Sequence, residues 1–265
     1  MNPSERLRGV WNIVKAPERN RYHHGMLMTD DLFRRETDYL NAKRYLLNRL
    51  VAGYGVVCGL NVLPGDEANQ IWIAPGVAID KWGREIIVPR QAGPITIPDD
   101  VLEEAVKQQL AEHYQRHHGY HDKMGCVTVL VCYHECETDP TPTLAGDCSS
   151  HDPCMPSTIR EQFEICFEAG CREPRRHTCE IPDTISNGRI NYAELVEWVT
   201  RRDCFELPEN PCIRLAEIVI EEGRGHHCDE DFIHIDVRPL CYVNDLLYEL
   251  ALGLIQELLG GRPQK

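Results

Sequence analysis

Thirteen cysteines constrain this chain more than any other feature. The start, Met1-Asn2-Pro3-Ser4-Glu5-Arg6-Leu7-Arg8, lacks the apolar stretch of a secretory signal, so a cytoplasmic protein is expected. Reducing cytosol keeps ordinary thiols apart, and a cysteine-rich chain there is more often metal-binding than disulfide-stapled. The odd total leaves at least one cysteine without a partner in the chain. Disulfides remain open if the protein leaves the cell by a route that needs no signal.

The cysteines fall in two irregular stretches. In the first, His134-Glu135-Cys136 is followed by Cys148-Ser149-Ser150-His151-Asp152-Pro153-Cys154. Zinc takes four thiolate or imidazole ligands in a tetrahedron, and Cys136, Cys148 and Cys154 with His151 or His134 supply that set. A loop of about twenty residues, Glu135 to Met155, would need such a clamp to order itself. In the second stretch stand Cys166, Cys171, His177, Cys179, Cys204 and Cys212, with His226-His227-Cys228 further on. Cys171, Cys179, Cys204 and Cys212 are the preferred ligands of a second ion, although two disulfides would use the same residues. Cys58, Cys126, Cys132 and Cys241 lie in or beside apolar runs and read as small buried hydrophobes.

The segments between these stretches follow two periods. Thr29 caps a helix near 30–51, with Asp30 and Asp31 in its first turn and Gly53 as its stop. Strands follow at Val56 to Val62, Gln70 to Ala74, Arg84 to Val88 and Pro94 to Ile97, rich in β-branched residues and bounded by Pro or Gly. A second helix starts at Pro98-Asp99-Asp100 and runs to about His118. Val127 to Tyr133 is the most β-favouring run and predicts a central strand buried on both faces. Ile159 to Ala169 alternates as a half-exposed strand, and Cys212 to Ile220 and Phe232 to Val237 add two more. Helices are predicted over 191–201 and 244–259. The last has an apolar face broad enough to pack into the core or against another subunit. The fold expected is α+β: a helix plus a small antiparallel β unit over 1–98, then a larger α+β domain over 99–265 with metal-clamped loops.

Several functions find no support in the residues. With 42 acidic against 28 basic side chains the net charge is −14, a field that repels phosphate backbones and disfavours nucleic acid as a partner. No stretch approaches the ~20 apolar residues of a membrane span. His134-Glu135-Cys136 lacks the spacing of zinc deaminases, and the chain contains no zinc-protease helix, nucleophile elbow, phosphate loop or dinucleotide fingerprint. Asp183 to Glu194 matches a calcium loop at positions one, five, six and twelve. However, Ile185 stands where an oxygen ligand belongs, and an Asn-Gly turn leading into a helix is the preferred reading. No catalytic residues are assigned, and an enzyme is not expected.

Two further stretches carry a resemblance. Tyr22-His23-His24-Gly25-Met26-Leu27-Met28-Thr29-Asp30-Asp31, running through to Gly55-Val56-Val57-Cys58-Gly59-Leu60, is one. Pro75-Gly76-Val77-Ala78-Ile79-Asp80 followed by Gly83-Arg84-Glu85-Ile86-Ile87-Val88 is the other. Together with the Cys148 to Arg160 segment and Asn244 to Leu250, they resemble an uncharacterised bacterial family encoded with phage-tail-like contractile injection systems. The resemblance implies a structural or adaptor subunit of a tail-like particle assembled in the cytoplasm, with other particle subunits as partners; the cysteine-dense loops add structural zinc as the expected cofactor, and the apolar last helix an oligomer. Alternatives are a zinc-dependent hydrolase or effector carried by such a particle, with Glu135 or His134 as base beside an open metal position, and a thiol-based redox sensor.

Overall fold

A computed structural model describes residues 17–67, 69–116, 124–142, 154–171, 185–186, 189–201, 207–221 and 232–258. The first helix, α1, spans Asp30–Leu47, with an extended Thr29 at its N-cap and Asp30 and Asp31 in its first turn, where negative charge suits the helix dipole. It widens into a π-helical turn over Asn48–Ala52 and stops at Gly53, whose φ of +82° suits a residue without a Cβ.

Six short strands follow: β1 (Gly55–Gly59), β2 (Val62–Pro64), β3 (Gln70–Ile73), β4 (Gly76–Ile79), β5 (Glu85–Val88) and β6 (Ala92–Thr96). They form two three-stranded antiparallel sheets, ordered β1-β4-β5 and β2-β3-β6. The single strand expected over Val56 to Val62 is two strands, because Leu60 turns to φ +57° and carries the chain from one sheet to the other. β4 begins directly at the Pro75-Gly76 corner, where the sequence shows only a turn.

The helix α2 (Asp99–Arg116) buries Leu102 and Ala105 and packs on the largest sheet, ordered β12-β11-β7-β8. Here β7 is Met124–Pro142, β8 Cys154–Ala169, β11 Ile213–Glu221 and β12 Ile233–His234. As expected, β7 is central and buried on both faces: Val127, Val129 and Val131 are fully buried on one side, and Cys126, Thr128 and Leu130 are buried on the other. Apolar side chains from β1 to β5 join those of α2, β7 and β11 in one continuous core.

In the long loop expected from Glu135 to Met155, the described residues are strand. The β7–β8 ladder continues from Glu135 opposite Glu161 to Pro142 opposite Cys154, leaving 143–153 outside the described residues. Pro140 and Pro156 face each other across the ladder. Among the described residues no third strand pairs with this part of the ladder, so a proline there removes no bond that a third strand needs. From His134 the arm projects nine residues, about 30 Å at the usual rise, and β8 is exposed from Cys154 to Gln162.

Within the calcium-like segment, β9 (Ile185–Ser186) pairs antiparallel with β10 (Arg189–Ile190), and the Asn-Gly turn expected at 187–188 lies outside the described residues. The helix α3 (Tyr192–Thr200) follows from Asn191. The chain's described part closes with α4, Asn244–Leu258.

Candidate functional site

Three features carry chemistry: a buried ion pair, a set of exposed apolar helix faces, and the cysteines. The ion pair sits in the β4–β5 turn, Asp80-Lys81-Trp82-Gly83-Arg84. Asp80 is fully buried, and Arg84 is 5% exposed. One carboxylate oxygen accepts both Nε and Nη2 of Arg84 at 2.6 Å, and the other accepts the backbone N–H groups of Trp82 and Arg84 at 2.9 Å. Burial pushes the Asp80 carboxyl above its ordinary value, while Arg84 and the two N–H donors pull it down. The guanidinium lies between the rings of Trp82 and Tyr133, 4.7 and 4.5 Å from their centroids, as its planar cation favours. Tyr133 donates its hydroxyl to Glu135 at 2.8 Å, and burial together with that bond pushes the phenol upward.

The same turn anchors α1. Asn48 donates to the Gly83 carbonyl at 2.9 Å and to Glu85 at 2.8 Å. Gly83 itself has φ +91°, and a Cβ there would collide with the Tyr45 carbonyl. Every oxygen of Asp80 is thus committed, and the site holds three elements together rather than presenting a reactive group. This is the physical content of the Asp80 and Gly83-Arg84 positions that the sequence shows only as a pattern.

Apolar exposure concentrates on the helices. On α1, Phe33, Leu40 and Leu47 stand seven residues apart on one side, each about 60% exposed, continued by Leu50 and Val51. Tyr45 is the buried residue of this helix. On α4, Leu247, Leu250, Leu254 and Ile255 share an exposed face, beside exposed Tyr242, Val243 and Tyr248. Of the two placements expected for this helix, the core is excluded. Tyr192, Val196 and Val199 of α3 are exposed as well.

The cysteines are arranged differently from the expected ligand sets. Cys126 is disulfide-bonded to Cys171 and Cys132 to Cys212, with Cα separations of 5.3 and 4.5 Å. Cys171 and Cys212 therefore offer no thiolate to an ion here, and Cys179 and Cys204 lie outside the described residues. Cys126 and Cys132, read as buried hydrophobes, are buried but also paired. In the first set, Cys136 stands opposite Arg160 while Cys154 stands opposite Pro142. The offset of six residues along β7, 136 to 142, is about 20 Å, whereas two sulfurs on one zinc each lie about 2.3 Å from it. Cys136 and Cys154 do not share an ion in this arrangement, and His134 travels with Cys136. Cys148 and His151 lie outside the described residues. Glu217, itself buried, brings a carboxylate oxygen within 4.8 Å of the Cys126 and Cys171 sulfurs, a grouping that sequence spacing gives no sign of.

Cys58, also read as buried, is exposed, because a register shift between Val56 and Cys58 turns the end of β1 outward. A groove of about 920 Å³ between the β5–β6 link and β8 is lined by Glu85, Arg90, Glu161, Phe163 and neighbours. Its lining contains no histidine, cysteine or serine. Among the described residues no helix is long and apolar enough to cross a membrane.

No family model matches the chain, and no curated protein matches it. Among solved structures it is similar to a chain of the baseplate complex from the type VI secretion system, with a TM-score of 0.38 and 10% identity over 95% of this chain and 71% of that one. It is also similar to TssK, with a TM-score of 0.36 and 10% identity over 94% of this chain. The match spans about half of the TssK chain, 51%.

Proposed function

We propose that this chain is a structural or adaptor subunit of a phage-tail-like contractile particle, assembled in the cytoplasm, and that it works by docking other protein subunits rather than by catalysis. One observation carries the reading. Among the described residues the apolar face of α4 is regular and uncovered, while the sheets close a core without it. A buried leucine is worth about 1.5–3 kcal/mol relative to an exposed one, so four such residues on one face favour a partner strongly. The stripe on α1 offers a second surface, and the projecting β7–β8 arm a third. The sequence resemblance to a family encoded with contractile systems supplies the kind of partner. The acidic charge argues against nucleic acid.

Structural zinc belongs to the same proposal. Cys148, His151 and Cys154 lie within seven residues of one another in sequence and supply three ligands of the type zinc prefers.

The test is native mass spectrometry with elemental analysis of the purified chain, alone and mixed with tube, sheath and baseplate components. The expected result is an oligomer or a stable complex, with zinc that Cys154→Ser removes and Cys136→Ser retains. A monomer that binds none of these components overturns the docking role. Absence of zinc from a docking-competent chain overturns the metal alone.

A further inference from the structure

Three cysteines lie in a row across the largest sheet. Ile213 pairs with Val131, which brings Cys212, one residue earlier, level with Cys132 on the central strand. On the other side Cys166 pairs with Leu130, two residues from Cys132, and so shares its face of the sheet. Cys132 is bonded to Cys212, and the free Cys166 thiol lies 3.6 Å from Cys132 Sγ. Thiol–disulfide exchange needs a free thiol in contact with one sulfur of a disulfide, and that contact is present here.

We infer that Cys166, Cys132 and Cys212 form an exchange site in which one disulfide moves between two arrangements. Cys166 loses its proton to solvent and attacks Cys132 Sγ. The new Cys166–Cys132 bond forms as the Cys132–Cys212 bond breaks, and Cys212 leaves as a thiolate that takes up a proton. Electrons balance within the trio, so no outside oxidant or reductant enters.

The exchange has a structural consequence. Cys212 closes a segment that is hydrogen-bonded to the β4–β5 turn. Trp82 donates Nε1–H to the Pro208 carbonyl at 2.9 Å, Lys81 donates its backbone N–H to Pro211 at 3.1 Å, and Lys81 Nζ donates to Asn210 at 2.9 Å. Asn210 in turn donates to Glu168 and accepts the Cys212 N–H. With the disulfide on Cys212, β7 is bonded covalently to this clasp. After exchange the crosslink joins β7 to β8, and the clasp keeps its hydrogen bonds alone.

The experiment uses the full chain, equilibrated with glutathione disulfide, quenched in acid, alkylated under denaturing conditions and mapped by proteolysis and mass spectrometry. The expected wild-type result is two crosslinked peptides, Cys132–Cys212 and Cys132–Cys166, with alkylated Cys212 in roughly 1–10% of chains, as suits a minor state. Cys166→Ser is expected to leave Cys132–Cys212 alone with Cys212 unlabelled, and Cys212→Ser to move the crosslink to Cys132–Cys166. Alkylation confined to Cys166 in the wild type, alkylation of all three, Cys212 labelling in Cys166→Ser, or no Cys132–Cys166 peptide in Cys212→Ser would each overturn the inference.

Discussion

The helices α2 and α4 are similar in length and lie in one chain, yet they meet opposite surroundings. On α2, Leu102 and Ala105 are buried against β7. On α4, the leucines that its spacing aligns are exposed, although its composition is the more apolar. Apolar periodicity therefore marks a face that will be covered without saying by what. The sheets use their apolar residues to finish a core, and α4 leaves its own exposed.

Substitutions can break or sharpen that contrast. The largest effect is expected at the buried ion pair. Asp80→Asn leaves the Arg84 charge buried without its partner and should cost about 3–5 kcal/mol, read as a lower urea midpoint at unchanged slope. Next stands Leu215→Ala, which opens a cavity beside β7 at a fully buried position and should cost about 2–5 kcal/mol. Loss of the Cys132–Cys212 bridge in a Cys132→Ala chain should cost about 2–4 kcal/mol under oxidising conditions and much less in excess reductant. The smallest effect is expected on α4, where Leu254→Gln should shift the monomer's midpoint by no more than about 0.5 kcal/mol while reducing association in sedimentation measurements. A Leu254→Gln chain as destabilised as Leu215→Ala, with association intact, would erase the distinction between the two regions.

How much of this was legible beforehand depends on the range of the cause. The start of α1 follows from Thr29, Asp30 and Asp31, and its stop from Gly53, all local signals. The burial of β7 on both faces follows from its unbroken apolar run. The arm was hidden because its prolines carry loop chemistry, and only the register shows that they face each other across a ladder. The disulfides were hidden for another reason. Cys126 and Cys171 are 45 residues apart, Cys132 and Cys212 80, and connectivity across such spans is not encoded in spacing. Cys136 and Cys154, joined in one expected ligand set, stand six residues apart along β7, since closeness in a list of residues is not closeness along a ladder. Cys58 was misplaced by a single bulge, which no propensity scale registers. At the Asp80–Arg84 turn, the sequence displays the residues, but the sandwich of Arg84 between Trp82 and Tyr133 depends on a strand that comes nearly fifty residues later.

The arm and the core are built on one uninterrupted strand, and this has a mechanical outcome. A load applied at the arm's tip along its axis passes directly into β7. There it meets the β7–β11 ladder side-on, from Val131 opposite Ile213 to Met124 opposite Glu221. Loaded in shear, those pairs resist together instead of parting one by one as a peeled strand does. The arm is thus set in the body like a tang in a handle, able to carry tension without unzipping the sheet that holds it.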